Sequence, residues 1–101
     1  TAAQYSIQWT YQLTVVGADK LPLPGVKVDI VDQNGVTHLS AVTGPEGRTD
    51  PIALTEFRRF NTQLGIEKQE FTYRVTLSLG ERAREFPLRI KAPLQQVQTL
   101  P

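Results

Sequence analysis

The feature that most constrains this chain lies near its start. Tyr5, Ile7, Trp9, Tyr11, Leu13 and Val15 are apolar, and Ser6, Gln8, Thr10, Gln12 and Thr14 between them are polar. Period two sustained over that length is the pattern of a strand with one buried face. A helix would spread the same apolar positions around its whole circumference. The odd-numbered residues from Tyr5 to Val15 are therefore expected to point inward. The intervening Thr and Gln suit a solvated sheet face.

The same alternation returns after each cluster of turn residues. Gly17 to Gly25 contains Pro22 and Pro24 and reads as a stiff connection. Val26, Val28 and Ile30 then alternate with Lys27 and Asp29. Asn34-Gly35 tolerates the positive φ of a tight hairpin turn, and Val36 to Val42 is the return strand, with Leu39 and Ala41 inward. Thr43 to Pro51 is a further turn cluster, after which Ile52 and Leu54 restart the pattern. From Thr55 to Gln69 it blurs. Phe57, Phe60 and Leu64 stand three and four apart, which fits one or two helical turns over 55–65. A strand running to Phe60 is the alternative. Phe71 to Leu79 and Phe86 to Ile90 alternate clearly again and are joined by Gly80-Glu81-Arg82. Pro87 cannot donate to a ladder, so its strand belongs at an edge or near a bulge. Residues 1–93 form one β-sandwich domain in this reading. Leu94 to Pro101 is a Gln-rich tail or a late edge strand. About seven short strands separated by turns imply an all-β sandwich.

Composition removes most chemistries. The 101 residues include no Cys and one His, so thiolate sites, disulfides and a two-His centre cannot be built within the chain. Eleven Lys and Arg stand against ten Asp and Glu, a formal net charge of +1. That balance gives no general attraction to nucleic acid or to an anionic membrane. No apolar run approaches the ~20 residues of a membrane helix. The chain opens at Thr1 with no Met and no basic-then-apolar leader, and is expected to be a mature form or an excised piece of something longer.

The stretch from Trp9 to Leu54 carries a family likeness. A first strand is followed by Pro24-Gly25-Val26-x-Val28-x-Ile30, then Asp32-x-x-Gly35, then Thr43-x-x-x-Gly47-x-Thr49. This order resembles the transthyretin-like and carboxypeptidase-regulatory-like β-sandwiches, and Phe71 to Gly80 followed by Arg84 to Ile90 resembles their final hairpin. The resemblance implies a seven-stranded Greek-key sandwich in which those residues serve as scaffold. Within the group, a small hydrolase of the urate pathway uses paired His and Arg and a Tyr-Arg-Gly-Ser ending. This chain has only His38 and ends Gln98-Thr99-Leu100-Pro101. The hormone-carrier branch shares the missing ending. What remains are add-on modules of larger bacterial proteins, secreted or at the cell surface. The compact, Cys-free fragment with its Thr49-Asp50 turn resembles the C-terminal transthyretin-like extension of type VI secretion spike proteins (VgrG), which implies a role in docking an effector. The alternative is a structural spacer of a cell-surface protein. The hydrolase stands last.

Candidate residues follow from this. No cofactor, metal or catalytic residue is expected. His38 on its strand is read as a surface or cross-strand pairing residue. Asp29, Asp32 and Asp50 match no calcium loop and are read as turn residues. Ser6, Ser40 and Ser78 lack a nucleophile elbow. The basic residues Arg74, Arg84, Arg89 and Lys91 in the last third, with Arg58 and Arg59 between Phe57 and Phe60, are the candidates for binding another protein. Their aromatics alternate inward, which argues against nucleic acid. With one His and no acidic cluster in an apolar segment, folding is expected to be insensitive to pH across the neutral range.

Overall fold

In the computed structural model, which describes residues 4–101, the alternating segment becomes a single 13-residue strand, β1 (Gln4–Val16). Around it lie β2 (Lys27–Asp32), β3 (Thr37–Val42), β4 (Ile52–Thr62), β5 (Gly65–Glu70), β6 (Tyr73–Leu79), β7 (Arg82–Leu88) and β8 (Leu94–Thr99). One sheet has the order β5-β4-β1-β8 and the other β3-β2-β6-β7. The chain passes from sheet to sheet between β1 and β2, β3 and β4, β5 and β6, and β7 and β8. β1 is antiparallel to β4 and parallel to β8. The fold is thus an all-β sandwich of two four-stranded sheets, with no helix among the described residues.

Two expectations are corrected. Among the described residues there are eight strands rather than about seven, and the segment from Thr55 is strand, as the alternative reading had it, rather than helical turns. The register between β1 and β4 shifts where Ile7 and Gln8 face Phe57 and Thr55, leaving Glu56 as an extra residue on β4. This bulge moves the next inward apolar position from 56 to 57. The bulge gives the spacing of three between Leu54 and Phe57, whereas Phe57 and Phe60, whose spacing suggested helical turns, lie on opposite faces of the strand beyond it. β4 runs on to Thr62, and β5 returns beside it as the additional strand.

The core lies between the sheets. Tyr11, Leu13 and Val15 of β1 meet Val28 and Ile30 of β2, Leu54 of β4, Val75 and Leu77 of β6, and Phe86 and Leu88 of β7. Leu100, just beyond β8, is 1% exposed and its N–H bonds the Val16 carbonyl at 2.8 Å. Residues 94–100 therefore lie within the sandwich as an edge strand and its buried end. β7 is the other sheet's edge, where Pro87 and its missing donor are tolerated.

Thr43, Gly47 and Thr49 form the joint between β1 and the connections. The Thr43 hydroxyl donates to the Leu23 carbonyl (2.7 Å) and accepts from the Val26 N–H (3.0 Å). The Thr49 hydroxyl accepts the Leu13 N–H at 3.1 Å, and the Gly47 carbonyl accepts the Val15 N–H at 2.8 Å. All three residues are buried, so each polar atom needs the partner it has.

The first half of β1 departs from expectation. Tyr5 is 54% exposed, and Ile7 and Trp9 are only partly buried. The strands of the facing sheet are six or seven residues long. At ~3.3 Å per residue they cover about half of a 13-residue strand. The remainder overhangs, and the molecule measures 53 Å along its long axis against 23 and 16 Å across.

Candidate interaction surface

The overhang is a three-stranded arm made from Gln4–Thr10 of β1, the second half of β4, and β5. Its register sorts the side chains. Tyr5 lies opposite Arg59, and Ile7 opposite Phe57; Arg59 in turn lies opposite Lys68, and Phe57 opposite Glu70. These six share one face. Gln4 and Ser6 lie opposite Phe60 and Arg58, which lie opposite Glu67 and Gln69, and these share the other.

On the first face the Lys68 ammonium sits 4.5 Å from the centroid of Phe57, and the Arg59 guanidinium 5.6 Å from the same ring. On the second, Arg58 lies 5.9 Å from the Phe60 ring and 5.8 Å from Phe71, and donates to Gln69 Oε1 at 2.5 Å. Cations over aromatic faces gain roughly 0.5–1 kcal/mol when exposed. Neither arginine meets a carboxylate among the described residues. The Nε of each is buried without a hydrogen-bond partner. Tyr5, Arg59, Phe60, Asn61 and Ile66 line a shallow recess near the tip. Ile66 is 72% exposed and Leu64, in the β4–β5 turn, 94%. Exposed apolar area thus lies here beside two cations that meet no carboxylate among the described residues.

The base of the arm is electrostatically closed. Glu70 pairs with Arg89 at 3.2 Å and Lys68 at 3.4 Å. The Arg89 hydrogen bond, then that of Lys68, hold the Glu70 carboxyl below its ordinary value. Trp9 Nε1–H donates to Glu56 at 2.8 Å, which fixes the bulged residue.

The remaining basic candidates do not join the arm's tip. Arg74 pairs with Glu85. Arg84 donates to the Thr99 carbonyl at 2.9 Å, linking the edges of the two sheets, and lies 5.7 Å from the Phe86 ring. Lys91 is exposed beyond β7. Arg58 and Arg59 are neighbours in sequence but face opposite ways. The six candidates are therefore dispersed: Arg58 and Arg59 lie on the arm, and of the other four only Arg89 reaches it, through Glu70. Tyr5, Leu64 and Ile66 were not among them. Strand length was the available signal, since the eleven alternating residues from Tyr5 to Val15 exceed what short facing strands can cover.

His38 and Asp32 form a polar pair away from the arm in which the carboxylate is buried. His38 Nε2 lies 2.8 Å from Asp32 Oδ2, across β2 and β3. Asp32 Oδ1 accepts the N–H groups of Asn34 (2.8 Å) and Val36 (3.1 Å). Asp32 is 8% exposed. Burial pushes its carboxyl up, but the His38 hydrogen bond, the two amides and the His38 charge outweigh that and leave it below the ordinary value. Its oxygens are occupied in closing the β2–β3 turn, where Gly35 alone takes positive φ (80°). The edge of the His38 ring meets Tyr73 at 5.1 Å between centroids. Among the described residues no three His, Cys, Asp or Glu side chains converge.

A pH consequence follows. A carboxyl whose folded pKa is depressed stabilises fully above its unfolded value, about 3.9, and that stabilisation is lost as pH falls through the lower folded value. The thermal midpoint is expected to be flat from pH 7 to 5 and to drop below about pH 4. Asp32→Ala is expected to cost ~1–3 kcal/mol at neutral pH and to flatten the acid limb. An acid limb identical in the variant and the wild type would remove Asp32 from the explanation.

No family model matches the chain, and no curated protein matches it.

Proposed function

We propose that this chain is a non-catalytic protein-binding module of a larger bacterial protein. The finer reading is a transthyretin-like sandwich acting as an effector-docking extension of a type VI secretion spike. The observation that carries the binding role is the pair Arg58 and Arg59. Each is stacked on aromatic rings without a carboxylate, on an arm whose tip exposes Tyr5, Leu64 and Ile66. Arginine and aromatic side chains together are the usual anchors of protein interfaces. In support of the finer reading, Thr43, Gly47 and Thr49 act as scaffold at the joint, as the resemblance implies. The strands also cross repeatedly between two sheets.

The test is affinity capture from the source organism with the chain as bait, compared with Arg59→Glu and with Arg84→Glu/Arg89→Glu. Wild type is expected to retain a specific protein. Arg59→Glu is expected to weaken it about 30-fold, the size of a ~2 kcal/mol anchor, with little change in thermal midpoint. The double variant, whose arginines are already engaged within the chain, is expected to have the smaller effect. Absence of any specific partner, or a partner indifferent to Arg59, counts against the proposal and favours a structural spacer.

A further inference from the structure

The lane beside β1 is filled by β8 only from Tyr11 to Val16. From Gln4 to Thr10 that side of the strand has no paired strand among the described residues. Which backbone groups point there follows from the bonds further along. Leu13 and Val15 use their N–H and C=O groups on the β4 side, with Thr49, Gly47 and Leu23. Val16 accepts from Leu100 on the β8 side. Backbone groups alternate along a strand, and the bulge lies on β4, so β1 keeps its alternation. The groups that point into the open lane are those of Gln4, Ser6 and Gln8 and the Thr10 N–H; the Thr10 carbonyl already faces Leu94, where β8 begins.

Exposed edges in monomers are guarded by charges or proline. β5 carries Glu67, Lys68 and Glu70, and β7 carries Arg82, Arg84 and Pro87. β3 and β8 carry no acid, Lys, Arg or proline but are only six residues long, whereas β1 carries no charge and no proline in any of its 13 residues.

We propose that this edge pairs with the same edge of a second copy of the chain, antiparallel and centred on Ile7. A twofold interface must be complementary to itself. In this register Ile7 meets Ile7 of the mate, Tyr5 meets Trp9, Ser6 meets Gln8 and Gln4 meets Thr10. Apolar side chains fall on apolar and polar on polar. Ser6 with Gln8 become the hydrogen-bonded pairs on both sides of Ile7, and the Gln4 carbonyl faces the Thr10 N–H, so every N–H and C=O of Ser6 and Gln8 that points outward finds a partner. The exposed Tyr5 gains an aromatic neighbour across the strands, an arrangement that stabilises sheets. No like charges meet at the seam. The arginines of the two β4 strands lie three strand spacings apart, about 14 Å, beyond the screening length of physiological salt. The two arms become one six-stranded sheet. The pairing uses the edge of β1 and not the faces that carry Arg58 and Arg59, so it is independent of the partner proposed above.

The chain has no cysteine, which makes introduced thiols clean reporters. Ile7→Cys places its thiol opposite its own copy in a non-hydrogen-bonded pair, with Cα atoms ~4.5 Å apart. Tyr5→Cys lies four residues from its copy along the seam, about 13 Å away. At roughly 100 µM, above the micromolar Kd typical of a small interface, sedimentation equilibrium of the wild type is expected to give twice the chain mass. Gln8→Pro removes a donor that points away from β4, and is expected to give the monomer mass with an unchanged far-ultraviolet circular dichroism spectrum. Under mild oxidation Ile7→Cys is expected to cross-link at least tenfold faster than Tyr5→Cys. A wild-type monomer at that concentration overturns the proposal. So does a dimer that survives Gln8→Pro, or equal cross-linking of the two thiol variants, which would place the contact elsewhere.

Discussion

Gly47→Ala is expected to destabilise the protein by about 3 kcal/mol or more, a large share of the 5–15 kcal/mol typical of a domain. Gly47 has φ 73°, a conformation that costs a residue with a Cβ roughly 1–2 kcal/mol. The added Cβ would also lie 2.6 Å from the Val15 carbonyl oxygen and 3.0 Å from the Leu23 nitrogen. Both are backbone atoms, so no side chain can rotate away. Relief requires moving β1 or the Leu21–Leu23 connection, which strains the bond from Val15 N–H to the Gly47 carbonyl. Gly35 supplies the control, since its φ of 80° is similar but a Cβ there meets nothing within 4 Å. Gly35→Ala is expected to cost only the conformational part, ~1–2 kcal/mol. Urea midpoints with a common m-value give the comparison. Equal losses at the two glycines would mean that the close approach of the turn to β1 is absent.

Truncation after Pro93 is expected to have the larger effect. It removes β8, the parallel neighbour of β1 over Tyr11–Val16, together with Leu100 and the partly buried Leu94. It also removes Gln96, whose Oε1 accepts the hydroxyl of the buried Tyr11 at 2.7 Å. Burial raises that phenol's pKa far above its ordinary value, so the hydroxyl stays protonated and needs an acceptor. A buried Leu contributes ~1.5–3 kcal/mol, and each net hydrogen bond ~1 kcal/mol. The total is comparable with the whole stability of a small domain. The truncated chain is therefore expected to lose its cooperative thermal transition. Were residues 1–93 to unfold cooperatively near the full chain's midpoint, β8 would be dispensable and the sandwich would close without it.

Much of this architecture was legible in period-two alternation. The strands around Val28, Val75 and Phe86, the second half of β1, and the turn at Asn34-Gly35 follow from residue order alone, because each buries one face over a short span. Two features were not legible. The bulge at Glu56 breaks the alternation after Leu54, and beyond it Phe57 and Phe60 lie on opposite faces of β4 with Leu64 in the turn, so apolar residues three and four apart resemble a helical turn. The exposure of Tyr5 depends on how long the facing strands are, which is a property of the other sheet and not of β1. The contact surface was harder still. Arg58 and Arg59 stood out beside Phe57 and Phe60, but their opposite facings and their distance from Arg74, Arg84 and Lys91 depend on register. Asp32 looked like a turn residue, and it closes a turn. Its burial and its bond to His38 come from the pairing of β2 with β3.

The central claim is that β1 serves two structures at once: its second half closes the sandwich between β4 and a parallel β8, and its first half extends as an arm. Interstrand backbone contacts in solution by NMR test this most directly. Contacts are expected from Gln12 to Gln95 and from Thr14 to Val97 in parallel register. Trp9 is expected to meet Leu54, and Ile7 to meet Phe57, with Glu56 unpaired between them. Helical contacts through 55–65, or a β1 that lacks either neighbour over Tyr11–Val16, would contradict it.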